Sequence, residues 1–182
     1  MSIMRDGKYY NDIYYVSGEY ACPYRESPYY QMWQKAMMLI PKDLRLLEIG
    51  CGTGQFARML MDNGYLSYVG FDFSEEAVRR AGKMLQNDDL VYLADAHESG
   101  SYTAEHDFII CLEAFEHIKD YEVIRHFTPG IEIVFTVPDF DDPAHIRYFK
   151  SINDVVDRYK NHFLFSHIEK FERWFICKAT VV

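Results

Sequence analysis

Residues 46–56, Leu46-Leu47-Glu48-Ile49-Gly50-Cys51-Gly52-Thr53-Gly54-Gln55-Phe56, read as an apolar strand, a turn with glycine at every second position, and the start of a helix. Eighteen residues after Gly54 comes Asp72, a lone carboxylate closing the stretch Val69-Gly70-Phe71-Asp72-Phe73-Ser74. Glycines in such a turn let the backbone bend sharply and approach a ligand with no side chain in the way. A carboxylate ending the second strand is placed to accept hydrogen bonds from both hydroxyls of a ribose. Together they predict a site for an adenosine-bearing ligand.

The spacing selects among such ligands. Dinucleotide folds use G-x-G-x-x-G, which seats a pyrophosphate on the helix N-terminus. Here the spacing is Gly50-x-Gly52-x-Gly54, with Glu48 just before it. An acidic residue entering the loop repels a pyrophosphate but favours the ammonium and sulfonium of S-adenosylmethionine (SAM), which has no phosphate.

From Leu46 to about Pro138 the chain resembles the class I SAM-dependent methyltransferases, the glycine loop being similar to their motif I. In that resemblance Glu48, Gly50, Cys51, Gly52 and Gly54 belong to the cofactor loop, and Asp72, followed by Phe73, holds the ribose. Asp95-Ala96, after the apolar run Leu90 to Leu93, matches the position that recognises adenine. Asp107 to Glu113 resembles the fourth strand and the motif at its end, where Leu112 and Glu113 lie between methyl donor and substrate. Ile131 to Val137, ending at Pro138, resembles the fifth strand.

The 182 residues fit one α/β domain, 1–182, and are too few for a dehydrogenase with a separate catalytic domain. A net charge of −9 with no basic run makes a nucleic-acid partner unlike this chain, since affinity for phosphate backbones comes from clustered Lys and Arg. Cys22, Cys51, Cys111 and Cys177 show neither C-x-x-C nor a disulfide framework and read as reduced thiols of a cytoplasmic protein. No apolar stretch has signal-peptide or membrane-span length, so no membrane partner is expected.

The first 41 residues differ from the rest in holding eight of the fifteen tyrosines. A disordered segment is poor in aromatics, so this one is expected to pack on the domain. The pattern predicts a helix over 29–40 with Trp33, Met37 and Leu39 or Ile40 inward, stopped by Pro41. The resemblance implies a lid over cofactor and substrate; covering one sheet face is the other reading of the tyrosines. Residues 42–182 form the Rossmann-like core. Strand and helix signals alternate there as a doubly wound parallel sheet requires: strands at 45–49, 67–71, 89–93, 108–112 and 131–137, helices at 55–63, 74–85, 114–127 and 151–161. The connection 94–107 is polar and carries Gly100, which shortens or removes the helix expected between the third and fourth strands. With 163–172 and 173–182 as a closing antiparallel hairpin, the expected fold is α/β, a doubly wound, mostly parallel seven-stranded sheet with helices on both faces.

Methyl transfer is an in-line displacement, so the protein must align a nucleophile and, for a hydroxyl, remove its proton. On the predicted helix 114–127, Glu113, Glu116 and His117 fall at spacings that share one face. The stretch resembles the E-x-x-E-H signature of ubiquinone-type O-methyltransferases and of small-RNA 2′-O-methyltransferases, in which a later histidine completes a metal site; His145 would be its counterpart. A similar Glu and Glu-His pattern is widespread in class I methyltransferases without metal, and a divalent metal is not favoured. His117, His145 and Glu113 are the candidate catalytic residues, an imidazole serving as general base near neutral pH. Arg147 and Arg25 are candidate anchors for an anionic group. The motif after the fourth strand lacks the Asn/Asp-Pro-Pro-aromatic of base amino-methyltransferases, which leaves an oxygen of a small metabolite or sugar-containing natural product as the expected acceptor. The rivals are an RNA 2′-O-methyltransferase with a Glu/Glu/His/His metal site, and a catalytically silent SAM-binding subunit. Oligomeric state is not legible.

Overall fold

The computed structural model describes residues 5–182; the first four residues of the tyrosine-rich segment lie outside the described residues. Seven strands form one sheet: β1 (Leu46–Ile49), β2 (Tyr68–Asp72), β3 (Val91–Leu93), β4 (Phe108–Cys111), β5 (Glu132–Pro138), β6 (Phe163–Phe171) and β7 (Trp174–Val181). Their order is β3-β2-β1-β4-β5-β7-β6. The first five strands run parallel, and β7 pairs antiparallel with both β5 and β6. The chain leaves β1 on one side for β2 and β3 and later returns on the other side as β4. Ligands of open α/β sheets bind at the carboxyl ends of strands flanking such a reversal.

Side chains alternate across the sheet because strand periodicity is two. Leu46, Phe108 and Ile110 face one core, while Leu47, Ile109 and Cys111 face the other. The first core is covered by α2 (Tyr30–Met38), α3 (Gln55–Asp62) and α4 (Glu75–Leu85) through Trp33, Ala36, Phe56, Leu60 and Ala81. The second is covered by α5 (Asp120–Ile124) and α6 (Ile152–Tyr159) through Val123, Ile124, Val155 and Tyr159. Helix starts follow capping chemistry: Ser74 accepts from Ala77 N–H at α4 and Ser151 from Asp154 N–H at α6. Gly54, with φ +80°, opens α3, and a Cβ there would lie 3.0 Å from Ala81 Cα, so glycine sets how closely α3 approaches α4.

Two predicted helices change, one helix is added, and the connection before β4 is shortened as expected. Helix 29–40 is Tyr30–Met38, with Met32 and Ala36 buried beside Trp33 and with Met37 and Leu39 only partly covered. A further helix precedes it, α1 (Gly7–Val16), capped by Asp6. It is tied to α4 where Asn11 Oδ1 accepts from Ser74 Oγ–H (2.6 Å) and Glu76 N–H (3.2 Å). The predicted helix 114–127 shrinks to the five residues of α5, preceded by turns. Glu113 takes a left-handed φ of +51°, and the Arg147 guanidinium donates to the Phe115 and Ile118 carbonyls. The left-handed residue breaks the helical backbone at the start of this stretch, and these long-range bonds hold the turns that follow. Glu113, Glu116 and His117 therefore share no helix face. Between β3 and β4 a single turn of 3-10 helix, Ser99–Tyr102, replaces a full helix.

Candidate active site

Two adjoining cavities lie at the carboxyl ends of the parallel strands. One, about 270 Å³, is lined by Asp72, Phe73, Asp95, Ala96 and Ile49. The other, about 410 Å³, is lined by Glu48, Cys51, Gly52, Leu112 and His145. Gly50, Glu113 and His117 border both, as do Tyr10 and Tyr14 of α1. The expected cofactor-binding and catalytic residues all line one of them except Gly54, whose place is the α3–α4 contact, whereas Glu116, Arg25 and Arg147 line neither.

At the smaller cavity Asp72 is buried, and its two oxygens accept from Gly52 N–H (3.0 Å) and Ser74 N–H (2.9 Å). Burial pushes this carboxyl up to about 6, against the pull of those backbone donors. Each oxygen keeps a further lone pair for a ligand hydroxyl. Asp95 Oδ1 holds the His97 backbone N–H (2.9 Å) and Nδ1 (2.7 Å), and His97 Nε2 accepts from Lys119 N–H (3.3 Å). The imidazole thus ties the β3 loop to the loop after β4.

Glu48, also buried, receives the Tyr68 hydroxyl at 2.5 Å. Desolvation pushes Glu48 up to about 8, the Tyr68 bond opposing it and the Asp72 charge adding to it. Gly70 is what lets the hydroxyl cross: a Cβ there would fall 2.4 Å from Tyr68 Oη. Glu113 hands one oxygen to the Thr136 hydroxyl (2.8 Å) and the other to Trp174 Nε1–H (2.7 Å). Burial, then the Glu116 charge, holds Glu113 well above the usual carboxylate range. Tyr68, Gly70, His97, Thr136 and Trp174 are not singled out by the sequence pattern; only a glycine between the apolar Val69 and Phe71 of β2 hints at the crossing.

The loop after β4 meets the loop after β5. His117 Nδ1 lies 3.0 Å from the Ala144 carbonyl and His145 Nδ1 lies 3.2 Å from that of Phe140, so each ring donates there and leaves Nε2 as an acceptor. The ring centroids are 5.0 Å apart. Burial lowers both imidazoles from their ordinary range, keeping them neutral. Glu116 is fully buried, and neither oxygen has a hydrogen-bond partner among the described residues. One donor atom from each of Glu116, His117 and His145 lies within 4.8 Å of the others. Glu113 is outside this group. Arg147, read from the sequence as a possible substrate anchor, is instead spent inside the protein on the two carbonyls and on Asp120 (3.2 Å). Arg25 donates to the Tyr24 hydroxyl and lines neither cavity.

Residues 24–176 match the family model for the methyltransferase domain. No curated protein matches in sequence. Among solved structures, the N-methyltransferase NodS from Bradyrhizobium japonicum WM9, in complex with S-adenosyl-L-homocysteine (SAH), superposes with a TM-score of 0.70 at 14% identity over 97% of this chain and 99% of that one. Magnesium protoporphyrin IX methyltransferase from Synechocystis PCC 6803, with bound SAM, gives 0.68 at 16% identity over 100% of both chains. A protein from Pyrococcus horikoshii OT3 gives 0.69 at 19% identity over 94% of this chain and 99% of that one. At these identities the likeness is one of fold; with the match over residues 24–176, the chain belongs to the methyltransferase domain family and has the seven-stranded architecture of the class I SAM-dependent methyltransferases.

Proposed function

We propose that the chain transfers the methyl group of SAM to an oxygen of a small molecule. The observation that carries this reading is the meeting of the two cavities at Gly50, Glu113 and His117, with the Asp72 acceptors at one end and two neutral imidazoles at the other. The smaller cavity fits an adenosine: acceptors on Asp72 for the ribose, Phe73 and Ala96 against the ring, and Asp95 beside it. Glu48 and the glycine loop in the larger cavity fit the amino-acid end. When bound, SAM supplies an electrophilic methyl on a sulfonium. The protein's share is to hold the acceptor in line and to take its hydroxyl proton on the free Nε2 of His117 or His145. Tyr10 and Tyr14 of α1 border both cavities, which supports a lid role for the N-terminal segment. Among the described residues no helix is long and apolar enough to cross a membrane.

Calorimetry with SAH tests the assignment. The wild type should bind, and Asp72→Ala should lose ~1–3 kcal/mol, about 5–150-fold in affinity, from missing charge-assisted hydrogen bonds. Unchanged affinity in that variant would remove Asp72 from the site.

A second reading, in which His117 and His145 give Nε2 to a metal ion and no longer serve as bases, comes from the orphaned Glu116 carboxyl facing the two free imidazole nitrogens. Two histidines and a carboxylate suit a first-row divalent cation better than Mg²⁺, and three ligands rather than the four of the RNA-methyltransferase pattern are in place. Unpaired, the carboxyl is pushed up to about 8 by burial. Titrating apo protein with Co²⁺ should give visible d–d absorption saturating near one equivalent and absent in Glu116→Gln. No cobalt spectrum in the wild type would leave the imidazoles as bases alone. An RNA acceptor gains nothing from the structure: among the described residues, the only arginine or lysine lining either cavity is Arg5.

A further inference from the structure

We infer that the acceptor carries a positive charge, a protonated or quaternary amine, seated in the 410 Å³ cavity against Tyr20, Tyr29 and Trp33 and among Glu19, Glu113 and Asp142. The inference rests on the methyl-transfer reading and names the acceptor class within it. Among the described residues no lysine or arginine lines this cavity, whereas four acids do, Glu19, Glu48, Glu113 and Asp142; burial favours the protonated form of Glu48 and Glu113, so the exposed carboxylates are those of Glu19 and Asp142. An anionic acceptor, a phosphate or carboxylate, would enter past the exposed carboxylates of Glu19 and Asp142 with no cation to pair with.

The aromatic wall suits a cation. Tyr29 and Trp33 lie with ring centroids 5.6 Å apart and planes tilted by 31°, and Tyr20 meets Tyr14 edge-on at 5.0 Å. Electron-rich ring faces attract an ammonium most strongly where water is excluded. Burial raises the Tyr20 phenol, a hydrogen bond with Tyr29 opposes the rise, and the acids Glu19, Glu113 and Asp142 add to it. The phenol therefore stays neutral, and the negative charge of this corner belongs to the exposed carboxylates of Glu19 and Asp142.

Cations that could have neutralised the corner are committed elsewhere. Lys35 pairs with Glu169 (3.0 Å), Lys170 with Asp139 (2.6 Å), and Arg147 with Asp120 (3.2 Å). Arg173 stacks over Phe140 at 3.7 Å without lining the cavity. The donor's own positive charge is matched at the other end, where Glu48 lies beside the glycine loop. Glu19 and Asp142 are exposed at the mouth, where they draw a cation in, and Glu113 is within.

The test is calorimetric, on the whole chain saturated with SAH. Choline is compared with its uncharged carbon isostere dimethylbutanol and with benzoate. Choline should bind at least ~10-fold tighter than the isostere, and benzoate not detectably. In the Glu19→Gln, Asp142→Asn double variant the preference should fall to ~3-fold or less. Both positions are exposed, and the amide oxygen introduced by Asp142→Asn still accepts the Ala144 N–H, so folding is spared. Equal binding of choline and isostere, or tighter binding of benzoate, overturns the inference while SAH binding leaves the methyl-transfer reading standing. Failure of the wild type to bind SAH overturns that reading itself.

Discussion

Asp120→Ala should lower stability by ~3–5 kcal/mol, the usual consequence of removing one member of a buried ion network, and the melting temperature by roughly 6–20 °C. Asp120 is 1% exposed. It accepts two bonds from Arg158 at 2.7 Å, one from the Tyr159 hydroxyl at 2.8 Å, and faces Arg147 at 3.2 Å. Alanine leaves the largely buried Arg147 without its anion. Arg147 in turn holds the Phe115 and Ile118 carbonyls, and the same pair of loops is joined by Ile146 N–H to the Glu116 carbonyl (2.8 Å) and by His117 to Ala144. Function should therefore fall with stability: His117 and His145 sit on the two loops this network aligns, whereas Asp72 and the glycine loop do not. Thermal unfolding by circular dichroism, run beside SAH calorimetry at a temperature where the variant is folded, separates the two effects. A melting temperature within about 2 °C of wild type would show that Asp120 is not what joins these loops. SAH affinity reduced as much as turnover would show that the network supports the cofactor end too.

That network also marks where the sequence stops being legible. The glycine loop, the strand pattern and the Ser74 cap are local: each depends on spacing within a few residues, and each is found where the spacing puts it. The loop after β4 depends on partners far along the chain, Thr136 holding Glu113 N–H at 2.8 Å and Arg147 holding two carbonyls. Helical spacing through Glu113, Glu116 and His117 is a fair local reading that tertiary hydrogen bonds overrule. α1 carries Tyr10, Ile13 and Tyr14 at helical spacing but has no buried residue; Tyr10 packs on Phe73 and His117, and Asp6, Asn11 and Arg80 fix the helix through polar contacts. The candidate site is legible as residues but not as a grouping. Glu113 belongs with Trp174 and Thr136, and Glu116 with the two histidines, a division that only the left-handed backbone at Glu113 brings about.

Glu48→Gln should separate stability from binding, because the two place opposite demands on this carboxyl. Burial pushes the Glu48 carboxyl up to about 8 in the folded chain, far above the ordinary 4.5. Between those values the folded state holds a proton that the unfolded state has released, so Glu48 makes stability fall as pH rises from about 4.5 to about 8. Glutamine cannot ionise and still accepts the Tyr68 hydroxyl. The variant should match the wild type near pH 5 and exceed it by roughly 2–4 kcal/mol at about pH 8.5. Cofactor binding should move the other way. A sulfonium or ammonium brought beside Glu48 favours its charged form, so SAM binding at about pH 7 should expel a fraction of a proton. This is measurable as a dependence of the binding enthalpy on buffer ionisation heat, and SAM affinity should rise with pH through roughly 7–8. In Glu48→Gln that part of the proton release should vanish and SAM affinity should drop ~10-fold. Urea unfolding at about pH 5 and about pH 8.5 checks the first half, and calorimetry in two buffers the second. A variant no more stable than wild type at the higher pH would mean that Glu48 is already ionised in the empty protein. Undiminished SAM affinity would mean that the acid entering the glycine loop does not face the cofactor's positive charge.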